Sequence, residues 1–484
     1  MILNELTSEG KRRTLEVTKT LFRISSSGSD PSYLYNISPV GLYNGFIAAT
    51  TRTFLPTGFP DAVRPEYLAY QFWDSLQALC SYLRSVLTIQ AVLTSAGVGS
   101  AEASALSTTL TWVIKDGVGM LGSLMFAYWF ADVFEVNVKE WRLVADILNN
   151  FALTLDLFLP LYPSYYLQLT CVSSICKSCC GLVAGATRAR ISAHFAQKGH
   201  LADVTAKEST QETAVTLMGL MIGFVCTKYI GDSSEISWIL FFALMAIHQV
   251  ANYKLIRTLV LDTLNTQRIY LIVQYVEVQL KMRGKVRSSE HSLVKIMAST
   301  EETVIGATML TIPTPALIAA SESIYRPIWL SFCGPQHAVS LSTLFKGIQS
   351  MTRVASLDDT YRDLRNAWKG QDFLVAIDSF GRPITCLNEN CNEEESVKAY
   401  TISCYLMHRW SIEKIITNAL KIEYILNDGA ILSLKWYNEH IHSRGLENFG
   451  WDTSDGSSRL GGDGFRISSS CLCYDDRKES KKLS

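Results

Sequence analysis

The chain has 484 residues, enough for about three domains at roughly 150 residues each, or for two long ones. Lys plus Arg (44) balances Asp plus Glu (45) to a net charge of -1, which excludes a nucleic-acid binder that relies on a broad basic face. Apolar residues make up 48%, charged residues 18% and the mean hydropathy is +0.14, which excludes a disordered chain and points to an apolar half joined to a water-soluble half.

Residues 1–50 are polar and read as a flexible lead-in, with a Ser/Gly run at Ser25–Ser29. MILNELTSEGKRR carries charges where a secretory signal would be apolar, and Glu5, Glu9 and Glu16 are unlike a transit peptide. A non-secreted protein with reduced thiols is therefore expected for its 12 cysteines. Pro56, Pro60 and Pro65 then fix the chain as it enters the first long helix.

Six long apolar segments follow, at 68–96, 102–131, 142–160, 164–190, 211–230 and 236–260. They are separated by turns at 97–100, 160–163 and 231–234. Their ends carry positive charge on one side only: Arg52 and Arg64, Lys139 and Arg142, Arg188, Arg190 and Lys198, then Lys254, Arg257 and Arg268. The turns opposite hold no Lys or Arg, with only Lys228 nearby. This asymmetry predicts an even number of crossings, with both termini on the cytoplasmic, matrix or stromal side.

Beyond 270 the chain turns polar. KMRGKVRSSEH (281–291) reads as a linker and 312–336, with four prolines, as an irregular crossover. A β-hairpin is predicted from Phe373–Asp378 and Ile384–Leu387 around a Gly-containing turn. Helices are predicted from Glu393 to about 410 and over 429–447, a strand at Phe465–Ile467, and a charged tail at 471–484. The fold class is thus mainly α: a polytopic helical membrane bundle followed by a small α+β soluble domain. Its divisions fall at 1–50, 51–268, 269–370, 371–470 and 471–484.

Catalytic signatures are missing. There is no GxSxG, GxxxxGK[ST] or HExxH, so no enzyme, cofactor or metal is expected. Gly117-Val-Gly-Met-Leu-Gly122 spells GxGxxG, but inside an apolar helix, where its glycines serve close helix approach. Gly181/Gly185 and Gly219/Gly223 have GxxxG spacing for the same purpose. Cys176, Cys179 and Cys180 contain a CxxC without a second ligand pair, and read as buried thiols.

Ionisable residues inside the apolar segments are the sharper signal, because at membrane depth such groups face a bundle interior or a water-filled cavity. Arg142, Asp146, Asn149, Asn150 and Asp156 largely share one helix face. Lys115 and Asp116 sit mid-helix in the second segment. Asp203, Lys207 and Gln211 recur one turn apart with Glu212, and His248 and Asn252 form another such pair. With Arg188 and Arg257 these residues are the candidate lining of a polar cavity. Lys115, Arg188 and Lys207 are the candidates to neutralise a small anionic solute. The bland alternative is a set of ion pairs that fix helix register.

At these same residues the sequence resembles the Root UVB Sensitive family, from about Phe54 to Arg268. The likeness rests on FLPTGFPDAVRPEYLAYQFWD (54–74), TWVIKDGVGMLG (111–122), WRLVADILNN (141–150), GATRA (185–189), ADVTAKESTQET (202–213) and ANYKLIRTL (251–259). It implies a membrane-associated protein without an established enzymatic reaction; with the apolar segments, the expectation is an integral, multi-pass membrane protein. Plant relatives are linked to UV-B sensitivity, seedling development, vitamin B6 balance and auxin transport. It also implies membrane lipid as a partner and homo- or hetero-oligomers with a family relative. The chain departs from the family pattern at Asn150 (often Asp), Arg190 (often Ala) and Lys254 (Arg). The expected function is support of small-molecule homeostasis by a transporter-like mechanism. The rival is a membrane-tethered scaffold whose soluble domain binds a protein partner.

Overall fold

The structure is a computed structural model of the chain, and it describes residues 2–6, 12–18, 21–26, 39–96, 105–131, 134, 137–197, 199–230, 234–288, 311–324, 335–349, 357–413, 415, 417–453 and 466–467. The turn expected at 97–100, most of that at 231–234, Lys198 and the tail at 471–484 lie outside these residues. The chain is mostly helical and divides into two units, Met1–Arg64 with Ala196–Ala214, and Pro65–Phe195 with Val215–Ser484.

In the first unit, three strands form an antiparallel meander: β1 (Ile2–Leu6), β2 (Arg12–Thr18) and β3 (Leu21–Ser26). Register runs from Ile2↔Glu16 through Thr18↔Leu21. The lead-in expected to lack regular structure therefore contains a sheet. Thr14-Leu15-Glu16-Val17-Thr18 alternates polar and apolar with the period of a strand, a pattern too short to stand out among the serines around it. Helix α1 (Pro39–Phe54) follows, and the proline-rich block after it ends in a bridge between Val63 and Ala196.

Six long helices come next: α2 (Tyr67–Ser95), α3 (Ala105–Phe130), α4 (Val138–Phe158), α5 (Tyr166–Phe195), α6 (Leu201–Ile230) and α7 (Ser234–Thr258). Two 3-10 turns at Pro160 and Pro163 separate α4 from α5, because proline cannot continue the helix. Five stretches among the described residues are long and apolar enough to cross a membrane: Tyr67–Ser95, Thr109–Phe130, Val138–Leu161, Pro163–Phe195 and Glu235–Thr258. The sixth expected segment, 211–230, is the C-terminal part of α6 and is not among the five.

Glycines set the helix spacing where the sequence suggested. A methyl group on Gly119 would fall 2.5 Å from the Ser174 hydroxyl, and one on Gly122 would fall 2.8 Å from Ile175, so α3 lies directly on α5. Gly219 and Gly223 bring α6 onto Tyr82 and Val86 of α2 in the same way, whereas Gly181 and Gly185 face open space.

The rest of the second unit surrounds one large apolar core. Helix α8 (Thr266–Ser288) runs through 281–288, where a polar linker was expected; Lys, Arg and Met are good helix formers despite their polarity. Short helices α9 (Pro315–Ser321), α10 (Leu341–Gln349) and α11 (Leu357–Ala367) lead to the predicted hairpin, β4 (Phe373–Ile377) and β5 (Pro383–Asn388). Its register is Phe373↔Leu387 to Ile377↔Pro383, and β6 (Arg466–Ile467) joins β5 in parallel. Asn392 opens α12 (Glu393–Glu413) by accepting from the Glu395 amide at 2.8 Å. Helix α13 (Asn418–Tyr424), a π turn (Ile425–Gly429) and α14 (Ala430–His440) form one continuous run, ending before the expected 447. Indole N–H groups pin this core: Trp368 donates to the Val375 carbonyl, Trp451 to the Pro313 carbonyl and Trp436 to the Glu277 carboxylate.

Candidate polar site within the helical bundle

One face of α2 presents Asp74, Gln77, Ser81 and Arg84, spaced by three or four residues and therefore stacked turn upon turn. One face of α4 presents Arg142, Asp146, Asn149 and Asn150. The two rows meet rung by rung. Arg142 Nη2 donates to Asp74 Oδ1 at 2.8 Å, Gln77 Nε2 to both Asp146 oxygens at 2.8 Å, and Asn149 Nδ2 to Ser81 Oγ at 3.0 Å. Arg84 Nη1 donates to Asn150 Oδ1. Partners advance in the same direction along both helices, so α2 and α4 run parallel. From Asp74 to Arg84 the ladder rises ten residues, ~15 Å at 1.5 Å per residue.

At the top of the ladder the hydrogen bonding becomes incomplete. Arg84 is fully buried, and its Nε and Nη2 have no partner; its guanidinium lies 5.9 Å from the centroid of Phe241 on α7. From α7 come His248 and Asn252, buried to 1% and 0% exposure. His248 Nδ1 and both amide atoms of Asn252 are likewise unpartnered. Arg84 and Arg142 are both electrostatic neighbours of His248 and of Asp146. A buried cation whose one hydrogen-bonded partner is a neutral amide is an expensive arrangement unless an anion completes it. Chemically, the Arg84 end of the ladder offers donors to an anion, whereas His248 and Asn252 lie seven and eleven residues from Phe241 along α7, ~10 Å and ~16 Å, at other levels of the bundle.

The fourteen residues singled out from the sequence therefore divide. Arg142, Asp146, Asn149, Asn150, His248 and Asn252 belong to the buried polar site. Lys115 and Asp116 pair with each other at 2.7 Å on α3, with Asp116 more than half exposed and Lys115 over the Trp112 ring. Arg188 is half-buried on α5. Arg257 donates to the Ala320 and Glu322 carbonyls and lies over Tyr253.

Asp203, Lys207 and Gln211 have a different task, within the first unit. Asp203 Oδ2 accepts from the Thr57 amide at 2.5 Å, Lys207 Nζ donates to the Arg52 carbonyl at 2.7 Å, and Gln211 Nε2 donates to the Phe54 carbonyl at 2.6 Å. These three side chains fasten the end of α1 and the proline-rich block to α6, and Glu212 beside them is exposed. Two of the expected anion-neutralising trio of Lys115, Arg188 and Lys207 already have partners in the structure. Lys115 is matched to Asp116 and Lys207 to a backbone carbonyl, whereas the buried Arg84 has two unpartnered nitrogens.

Sequence reading passed over Arg84, Asp74 and Gln77, although DSLQALCSYLR carries the same one-turn spacing that marked 142–150. It named Asp156, Lys139 and Arg268 but not the ionic clusters to which they belong. Asp156 takes a hydrogen bond from Ser173 at 2.6 Å and pairs with Lys177, linking α4 to α5. Glu322 receives Arg268 Nε at 2.5 Å and pairs with Lys139, all three side chains about 5% exposed or less. Burial alone would push the Glu322 carboxyl up, but Arg268 and Lys139 hold it below the ordinary value.

Comparison with known proteins places this bundle. Residues 43–279 match the vitamin B6 photo-protection and homoeostasis domain. By that domain the chain belongs to the Root UVB Sensitive family. It is 40% identical to RUS family member 1 of Dictyostelium discoideum over 235 residues, 48% of this chain and 45% of that protein. It is 38% identical to Protein root UVB sensitive 3 of Arabidopsis thaliana over 224 residues, 46% of this chain and 51% of that protein. Similarity at 32% identity extends to Protein root UVB sensitive 2, chloroplastic, of the same plant, over 46% of this chain and 50% of that one. The chain spans about half the length of the curated relatives it matches, and no solved structure matches it. All of α2 to α7 lies inside the matched domain, whereas the hairpin and the helices after it lie outside.

Proposed function

We propose that the chain is an integral membrane protein whose helical bundle binds and passes a small anionic solute, in support of vitamin B6-type homeostasis. The observation that carries this reading is Arg84, a fully buried guanidinium that forms no salt bridge among the described residues and keeps Nε and Nη2 without a hydrogen-bond partner, on a helix apolar enough to cross a membrane. Arg84 lies seventeen residues into α2 and eleven from its end, ~26 Å and ~16 Å, so it sits near the middle of a ~30 Å hydrocarbon layer. An ionisable group at that depth marks a solute path or a relay far more often than a structural need.

Apolar exposure supports the membrane part. Leu124 (67%), Tyr128 (86%), Phe224 (75%) and Ile239 (71%) lie open on α3, α6 and α7, where a water-soluble fold would bury them. On this reading α6 crosses as the sixth span, since Leu217, Met221 and Phe224 expose its C-terminal part on the apolar side. Both termini then lie on the cytoplasmic, matrix or stromal side. The hairpin and its helices form a small α+β soluble portion on that same side.

The test is uptake of pyridoxal phosphate and pyridoxine into liposomes carrying the purified chain. Arg84→Gln is expected to lower uptake of the anionic vitamer tenfold or more, while Arg84→Lys retains a measurable part. Equal uptake by the wild type and Arg84→Gln, with both inserted to the same extent, would overturn the transport reading and leave an anchor for a scaffold.

A further inference from the structure

Outside the bundle and the matched domain, a second site is built around the hairpin turn. A cavity of about 410 Å³ is lined by Phe380, Gly381, Arg382 and Pro383 of the turn, by Met407, Trp410 and Ser411 of α12, and by Ile415 and Lys421 beyond it. Every polar side chain in that lining is a hydrogen-bond donor or a hydroxyl, and none is a carboxylate. Trp410 is 4% exposed, and its indole N–H, which can only donate, has no partner. A buried donor left open next to a cavity calls for an acceptor from outside.

The charges point the same way. Asp378, the nearest acid, is already consumed by the turn. Its Oδ1 accepts from the Phe380 and Arg382 amides at 2.9 and 2.8 Å, and its Oδ2 from Arg382 Nε and Nη2 at 2.7 and 2.6 Å. That grip holds the Arg382 guanidinium rigid at the cavity edge, 5.2 Å from the Phe380 ring centroid. Lys421 forms no salt bridge among the described residues. Its Nζ donates to the Gly381 carbonyl at 2.8 Å and lies 5.3 Å from the Trp410 ring centroid, so two of its three N–H groups make no hydrogen bond among the described residues. The remaining wall is apolar, with Met407, Ile415, Pro383 and the indole face. Phe380 stands 80% exposed at the rim, an unusual position for a large ring on a hairpin tip.

We propose that this cavity binds a small organic anion, one phosphate or carboxylate group attached to a flat apolar body. The anionic group is held by Lys421 and the Trp410 N–H, with Arg382 at its flank; the Ser411 hydroxyl already donates to the Met407 carbonyl at 3.1 Å. The apolar body lies between Phe380 and the wall of Met407 and Ile415. A bare inorganic ion uses only half of such a surface, and a neutral aromatic uses only the other half.

Phenyl phosphate is the probe, titrated by calorimetry into the full chain in detergent at constant ionic strength, with inorganic phosphate and phenol as comparison titrants. The expected result is that phenyl phosphate binds at least tenfold more tightly than either comparison titrant. Lys421→Met weakens it about tenfold and Trp410→Phe threefold or more, and Phe380→Ala weakens phenyl phosphate but not inorganic phosphate. Arg84→Gln, in the bundle, leaves this binding unchanged. Phe380 and Lys421 are partly exposed, so these two variants keep the fold, which the thermal midpoint of each verifies. The proposal is overturned if Lys421→Met and Phe380→Ala both bind phenyl phosphate as the wild type does, or if Arg84→Gln abolishes the signal.

Discussion

Two regions of the second unit solve the burial problem in opposite ways. From α2 to α7 many large apolar side chains are on the outside and a row of polar ones lies within beside Trp141, Leu153 and Phe241: Leu124, Tyr128 and Phe224 are exposed, while Arg84, Asp146, His248 and Asn252 are sealed. Around the hairpin the order is the usual one, with Trp368, Phe373, Leu387 and Leu406 at 0–1% exposure and charged residues such as Lys435 and Glu439 outside. On the membrane reading, lipid covers the outer face of the bundle, and the interior is free to hold groups that would be wasted in an apolar core. One contact between the regions is itself ionic: Lys139 at the start of α4 shares Glu322 with Arg268 of α8.

That contact gives the largest effect. Glu322→Ala leaves two buried cations without their carboxylate and is expected to destabilise the protein by about 3–5 kcal/mol, read as a fall in the denaturation midpoint. A shift below about 1 kcal/mol would mean that the two regions are not joined through this cluster.

A matched pair of truncations addresses the inside-out contrast. Leu406→Ala, in the fully buried core, is expected to cost about 2–5 kcal/mol. Leu124→Ala, two-thirds exposed on α3, is expected to stay within about 0.5 kcal/mol in detergent. Comparable losses at both positions would contradict the assignment of an outer apolar face to α3.

The smallest effect is a pH dependence. Burial pushes the Glu277 carboxyl above its ordinary value, although the Trp436 N–H, Arg409 and Lys281 oppose the shift. A raised pKa in the folded state means that the protonated form fits better. Stability is therefore full below the unfolded value and declines as the pH rises past about 4.5. Glu277→Gln keeps an acceptor for Trp436 without ionising, so denaturation curves should show the variant gaining on the wild type from pH 4 to pH 7. Parallel curves would place Glu277 in contact with water.

Much of this contrast was legible in the residues. Apolar runs marked α2 to α5 and α7 to within several residues, because a stretch of about twenty apolar residues has few other uses. Asn149, Asn150, His248 and Asn252 stood out because polar side chains in such runs are conspicuous. Spacing, however, reveals which face a residue is on and not what it meets. Lys207 looked like a free cation until the Arg52 carbonyl, 155 residues away in sequence, was found against it. Arg84 escaped attention because Asp74, Gln77, Ser81 and Arg84 are scattered about one per turn among the aromatic and aliphatic residues of α2, so no polar run marks them. The anion pocket beside Trp410 was beyond reach, since it joins a hairpin turn to two helices that no periodicity connects.

The most direct test of the central claim is alkaline carbonate extraction of membranes from cells expressing the tagged full chain. The account predicts that the chain stays in the membrane pellet, because the exposed faces of α3, α6 and α7 lie in lipid. Release into the supernatant would show that those faces are covered by protein, and the buried polar ladder would then be an ordinary set of ion pairs.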